Sequence, residues 1–172
     1  MAGLFDHWLA LAAARAAARR ERPGAPAPPR RADLDPMRFP AALPFVWLVD
    51  YEPSASRFVY RLAGDHVRET LGRPVKGRAL AEVIVDQTGS ARAYERFLET
   101  LRRPAALLVT GEVYQAANAP YYGQRLVLPL CGGEGDEPSA ILGVTIPEIQ
   151  GPTGANALPV EHLFTPLTTL LR

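Results

Sequence analysis

Between residues 45 and 80 the chain spells out a local fold almost in full. Phe45-Val-Trp-Leu-Val-Asp-Tyr51 is apolar and rich in strand formers. Arg57-Phe-Val-Tyr-Arg-Leu-Ala63 alternates, with Phe58, Tyr60 and Leu62 on one side and Val59, Arg61 and Ala63 on the other. Successive strand side chains point to opposite faces, so the second run has one buried face and one solvated face. The link from Glu52 to Ser56, with its Pro-Ser pair, is short enough to make the two runs a hairpin. Asp65 to Leu71 then reads as a short helix, capped by Asp65 and closed by Gly72, because glycine takes the left-handed closing conformation without steric cost. Gly77-Arg-Ala-Leu80 opens a further helical stretch. A chain that begins this way is committed to a sheet with short helices laid on it.

The remaining body extends that pattern. Thr88 to Arg103 is the longest helix of the body: Ala91, Tyr94, Phe97, Leu98 and Leu101 line one side, and Arg92, Glu95, Arg96, Glu99 and Arg102 the other. Three strand-like runs follow, Ala105 to Gln115, Tyr122 to Cys131 around Arg125, and Ala140 to Glu148, with Gly132 to Pro138 as a polar hairpin loop. Two strands, helices, then three strands predict an α+β domain with one antiparallel sheet and the helices on one face. The short links between the last three strands predict a meander.

Both ends carry appended segments. Leu4 to Glu21 is alanine-rich and helical, with Leu4, Phe5, Trp8, Leu9, Leu11 and Ala12 gathered on one side and Arg15, Arg19 and Arg22 continuing as a basic stripe. Its apolar side must pack on the domain, on a second subunit or on another protein. Pro23 to Pro29 cannot stay helical and reads as a stiff extended linker. Arg31-Ala-Asp-Leu-Asp-Pro36 starts a short helix reaching about Ala42, with Asp33 or Asp35 as cap and Pro36 at its first position. Gln150 to Ala157 is loop-like, and Val160 to Leu171 predicts a final short helix. The expected division is a helix over 1–22, a linker over 23–30, a domain over 31–149 and a tail over 150–172.

Charge and cysteine content exclude several classes. Net charge is only +1, yet residues 1–31 hold six arginines against Asp6 and Glu21, so the remainder is acidic. No aromatics interleave with those arginines, so a solvated arm is expected and nucleic-acid binding is not. Cys131 is the single cysteine, which rules out an internal disulfide and a cysteine-based zinc cage. Asp6, His7 and Arg15 spoil a signal peptide, and no apolar run nears the roughly 18 residues of a membrane span. A cytoplasmic protein without membrane association is expected.

The element order, together with Arg31-Ala-Asp-Leu-Asp-Pro36, Phe58-Val-Tyr-Arg-Leu-Ala-Gly64, Gly72-Arg-Pro-Val-Lys-Gly-Arg-Ala-Leu80, Arg125-Leu-Val-Leu-Pro-Leu130 and Ile141-Leu-Gly143, resembles the PAS fold. More narrowly it resembles a stand-alone PAS subfamily of alphaproteobacteria. The resembling segments cover about residues 30 to 148, leaving the first helix and the tail outside. The resemblance implies a five-stranded antiparallel sheet whose inner face, with the helices, encloses either a small-molecule pocket or only side chains. It implies a sensory or adaptor module that binds a small ligand, a protein partner or a second copy of itself, with the first helix as dimer element. On that reading Trp47, Tyr60, His66, Tyr94, Phe97, Val109 and Leu128 are the pocket candidates, and Leu4, Phe5, Trp8 and Leu11 the partner or homodimer candidates. No output domain is expected beside the body.

Specific chemistries find little support. The long helix has no histidine, so an axial haem ligand is not expected, and residues 73 to 87 have no cysteine for covalent flavin chemistry. Asp33, Asp35 and His66 fall short of a metal site, since the two aspartates serve as caps. Arg61, Arg78 and Arg125 are expected on solvent-facing sides, paired with Glu112, Glu82 or Asp50 or held for an anionic partner. Tyr114, Tyr121 and Tyr122 are expected at the rim or surface. The interior hydroxyl of Tyr60 is the exception, because a buried unpaired hydroxyl costs on the order of 1–3 kcal/mol. An enzyme is not expected. A cone-shaped α+β enzyme of the ketosteroid-isomerase kind would need a carboxylate beside Tyr60. Asp50 ends its strand and Glu112 alternates outward. A pure interaction module with a packed core is the other reading.

Overall fold

The computed structural model describes residues 1–19, 27–84, 86–115, 120–133, 135–150 and 160–172. Arg20, Arg22, Pro23 to Pro26 of the linker and residues 151–157 of the expected loop lie outside the described residues. An N-terminal helix, α1 (Ala2–Ala18), leads through three short 3-10 turns to the hairpin β1 (Val46–Glu52) and β2 (Arg57–Ala63). Three helices follow, α2 (Asp65–Leu71), α3 (Leu80–Val83) and α4 (Gln87–Arg102). Then come β3 (Ala105–Gln115), β4 (Pro120–Cys131), β5 (Pro138–Gln150), β6 (Glu161–Pro166) and α5 (Leu167–Leu170).

All strand pairs are antiparallel, and the sheet order is β2-β1-β5-β4-β3-β6. Hairpin contacts join β1 to β2 and make β3, β4 and β5 a meander, while β5 returns to pair with β1. The sheet thus has six strands rather than five. The sixth arises where a final helix was expected: Glu161 to Pro166 pairs with Ala105 to Thr110 of β3, and only Leu167 to Leu170 turns helical. Val160 to Leu171 is β-branched and aromatic at Phe164 and Thr165, and the free edge of β3 supplies backbone partners that an isolated helix of this length lacks.

Local rules account for the shorter elements. Gly72 closes α2 at φ 65°, and Asp86 caps α4 through Thr88 N and Gly89 N. Asp35 caps the turn at Pro36, accepting from Met37 N. At α2 the cap position is Gly64, so Asp65 is the first helical residue, where it pairs with Arg68 instead of capping. The segment around Gly77, itself at φ 80°, lies along the outer edge of β2, with Gly77 N donating to Tyr60 O and Tyr60 N to Arg78 O. That cover shields an edge strand from pairing with another chain.

Both faces of the sheet are buried. The inner face carries Trp47, Val49, Phe58, Tyr60, Leu107, Val109, Val127 and Ile141, covered by Val67 of α2, Leu80 and Val83 of α3, and Ala93, Phe97, Leu98 and Leu101 of α4. The outer face carries Val46, Leu48, Ala106, Leu126, Leu128, Leu130, Leu142 and Val144, covered by Leu4, Trp8 and Ala12 of α1 and by Phe39, Ala42 and Leu167. Body helices on one side and α1 on the other explain why β1, β4 and β5 read as nearly continuous apolar runs.

The first helix is therefore part of the domain's own packing. Trp8 is fully buried and its Nε1–H donates to Pro129 O at 3.0 Å, beyond the last β3–β4 pair, where a proline costs no ladder bond. Arg15 and Arg19 both bond Asp136 in the β4–β5 loop, and Arg30 lies 3.5 Å from it. Arg15 and Arg19 are thus tethered on the chain's own Asp136 rather than solvated. Ala27 to Pro29 are buried too: Cys131 N donates to Pro29 O at 2.9 Å, and the thiol approaches Pro28 O and Asp136 O. Burial raises the Cys131 thiol pKa against the opposing pull of Arg15.

Candidate functional site

The inner face combines an aromatic cluster with one polar row. Trp47 stacks on Phe97 (ring centroids 5.3 Å) and lies 6.4 Å from Tyr60, while Phe58 meets Phe97 and Tyr94 edge-on at 5.5 and 5.6 Å. Beside them Thr145 of β5, Arg125 of β4, Val109 of β3 and His162 of β6 fall opposite one another in register, so they form a single row across four strands.

Trp47 reaches that row because residue 143, its neighbour on β5, is glycine. The indole occupies the space a side chain at 143 would fill and brings Nε1–H within 2.9 Å of Thr145 Oγ1. The same oxygen accepts from Arg125 Nε at 3.0 Å, so both of its lone pairs are engaged. Arg125 also donates from Nη2 to Val113 O. Its guanidinium carbon lies 5.9 Å from the Trp47 ring centre and 5.3 Å from that of Tyr114, which is cation–π range.

Two phenols face this cation. Tyr60 is buried, and burial raises its pKa despite the opposing field of Arg125. Tyr114 is 8% exposed, and burial likewise raises its pKa, with Arg125 and then Thr145 pulling it down. Thr145 is close enough to influence that phenol, yet Tyr114 Oη reaches no partner at hydrogen-bonding geometry among the described residues. From the helix side, Arg96 of α4 comes within electrostatic range of Arg125. Its pKa is lowered by burial first, then by Arg92 and Arg125. His162 is lowered by burial and by Arg96.

The residues expected to line a pocket divide. Trp47, Tyr60, Phe97 and Val109 come together in the inner cluster, and Tyr94 packs at its margin, where its pKa is raised chiefly by a hydrogen bond with Tyr51. A groove of about 490 Å³ runs past Phe58, Ile84, Ala91 and Tyr94 between β2 and the helices α3 and α4. Leu128 is a correction: it points to the outer face under α1, because it alternates with Val127. His66 also stands apart, resting on Phe45 at 4.7 Å with Nε2 buried and without a partner among the described residues.

The partner-interface candidates need the same correction. Leu4 and Trp8 are buried against the chain's own sheet, and Phe5 and Leu11 are half-buried, so α1 does not present this face to another molecule in the described arrangement.

Sequence reasoning missed Arg125, Thr145 and Tyr114. Arg125 is expected toward solvent from the alternation of Tyr122 to Cys131, in which Leu126, Leu128 and Leu130 fall on the opposite face. Those leucines do face a core, the one under α1, which turns Arg125 toward the helices. Coverage of both faces was the signal. Asp50 pairs with Arg31 (2.7 Å) and Arg61 (3.1 Å), Arg78 is exposed, and neither Glu82 nor Glu112 forms an ion pair among the described residues. Among those residues no group of three metal-ligating side chains converges, and no helix is long and apolar enough to cross a membrane.

The family profile described as the PAS domain matches residues 2–146, a span that takes in α1 and stops before β6. Among solved structures, the PAS domain from Bordetella pertussis BvgS aligns with TM-score 0.49 at 17% identity, covering 61% of this chain and 76% of that one. The Rhodobacter sphaeroides LOV protein aligns with TM-score 0.45 at 21% identity, covering 66% and 68%. No curated protein matches the chain.

Proposed function

The chain belongs to the PAS domain family, and from that premise we propose that it is a signalling module that binds a small molecule on the inner face of its sheet and passes the bound state to a protein partner or a second copy through α1. The observation that carries this reading is the polar group of Thr145, Arg125 and the adjoining Tyr114 inside an otherwise apolar cluster. A core built only for stability has no use for a half-buried cation and a phenol without a partner among the described residues, each costing free energy that a methyl group would not.

The coupling to α1 runs through one layer of backbone. Val46 and Leu48, on either side of Trp47, face the outer cluster, and Leu126, next to Arg125, does the same. A shift of the inner row is felt directly by the residues on which α1 rests, because close-packed interiors transmit displacements.

Native mass spectrometry of protein purified from its own host tests this. Retention of a small molecule by the wild type, and its loss in a Thr145→Val/Tyr114→Phe double variant that remains folded, is the expected result. A second reading, a pure interaction module, draws on the tight stacking of Trp47, Phe58 and Phe97. It predicts a protein that never carries a ligand yet captures its partner normally.

A further inference from the structure

Arg125 uses Nε on Thr145 and Nη2 on Val113 O, so the Nη1 edge of the guanidinium has no partner among the described residues. No carboxylate pairs with Arg125, Arg96 or Arg92 among those residues either. Arg125 and Arg96 are only half-buried, while His162 completes the rim on the inner side of β6, where its neighbour Phe164 packs against the same cluster. Arg125 and His162 stand across Val109, two strand spacings or about 10 Å apart. Tyr114, more than nine-tenths buried and packed against Arg125, brings a hydroxyl that is unbonded among the described residues.

Gathering two arginines without an acid between them is unfavourable, and partial burial worsens it by removing water. An anion seated there reverses the sign of both costs. A carboxylate suits the donors on offer: a planar guanidinium edge packed 5.3 Å from the Tyr114 ring centre, the buried O–H of that same tyrosine, and a second guanidinium within electrostatic range. We infer that the site formed by Arg125, Arg96 and Tyr114, with His162 at its rim, binds the carboxylate group of a small organic acid. This rests on the reading of the inner face as a ligand site and adds the chemical class of the ligand.

The test uses benzoate and succinate as probes, benzamide as the uncharged analogue of benzoate, and phosphate at matched ionic strength. The Nε–H resonance of Arg125 is followed by proton–nitrogen NMR on the full chain. Saturable shifts with a carboxylate, none with benzamide, and at least about a tenfold weaker affinity in Arg96→Gln are expected, since a lost charge-assisted bond is worth a factor of that order. Arg96 is half-buried and its guanidinium makes no ion pair among the described residues, so this variant keeps the fold even if Arg125→Gln does not. Saturation by phosphate but by neither carboxylate, equal response to benzamide, or unchanged affinity in Arg96→Gln would each overturn the inference. If native mass spectrometry finds a retained molecule without an acid group, the carboxylate assignment fails while the sensory reading stands. If no molecule is retained and no probe saturates, both fail.

Discussion

The indole of Trp47 lies over the backbone of Gly143 on the adjacent strand, in the volume that any β-carbon at position 143 would need. Gly143 is thus required by contact and not by backbone conformation, since it is not among the glycines with positive φ. Gly143→Ala should push the ring off the strand, break Trp47 Nε1–Thr145 Oγ1, and cost about 1–3 kcal/mol by overpacking. Urea denaturation measures this. A stability within error of wild type would mean that the indole has room to move.

Thr145 holds two donors from two different side chains, Trp47 and Arg125. Thr145→Val keeps the shape and leaves both donors without their acceptor. The expected loss is about 1–3 kcal/mol, the penalty for a buried donor left unsatisfied. A double-mutant cycle with Trp47→Phe should recover part of that loss, because the second substitution removes one of the stranded N–H groups. Strictly additive losses would show that the Trp47 bond contributes nothing.

Tyr60 is neutral in the folded protein and is held so by burial, which raises its pKa above the ordinary value of 10.0. A folded pKa above the unfolded one contributes stability fully present below pH 10 and lost as pH climbs beyond it. Absorbance titration at 295 nm should therefore show fewer phenols ionising near pH 10 than the six tyrosines present, with the remainder appearing only as the chain unfolds. In Tyr60→Phe the late step should shrink. An unchanged late step would assign it to Tyr114, whose pKa is raised for the same reason.

Much of this arrangement is written locally, and the parts that are not depend on contacts far apart in sequence. The hairpin, the Gly72 stop and the Asp35 cap rest on rules acting over a few residues, so residues 57–63 and 65–71 form the elements their sequence predicts. Burial of Leu4 and Trp8 on the chain's own sheet is different. An apolar helix face states that it will be covered, not by what, and the covering surface comes from Leu126 to Leu130, more than a hundred residues later. Arg125 was misplaced for the same reason: once α1 claims one side of β4, alternation sends the arginine to the other. Glu161 to Pro166 shows the remaining gap, since its strand state is decided by a free edge on β3.

The tether of α1 is pH-dependent with a definite sign. Burial alone would raise the carboxyl of Asp136, but Arg15, Arg19 and Arg30 outweigh it and hold its pKa below 3.8. A folded pKa below the unfolded one contributes stability present above the unfolded value and lost as pH falls through the folded one. Protection of the backbone amides of α1 against hydrogen exchange should hold at pH 5 to 7 and weaken below about pH 4, near the unfolded aspartate value. High salt should weaken it as well, because the pairs are partly exposed. Asp136→Asn should remove the acid step without unseating Trp8. Persistence of the step in that variant would assign it to another carboxylate.

The strand β6 lies beyond the span matched by the family, yet it covers the β3 edge from Ala105 to Thr110 and leads into Leu167, which is fully buried in the outer cluster. Removing residues 160–172 uncovers a row of unpaired β3 backbone groups and empties the Leu167 site. An exposed strand edge of that length is a template for pairing with another chain, and loss of a buried leucine costs about 2–5 kcal/mol. The truncated protein should melt at lower temperature and associate with increasing concentration, read by light scattering across a dilution series. A chain of unchanged mass and melting temperature would mean that β3 needs no partner there. If instead only the melting temperature falls, the edge is protected by other means, and the contribution of β6 comes down to the packing of Leu167.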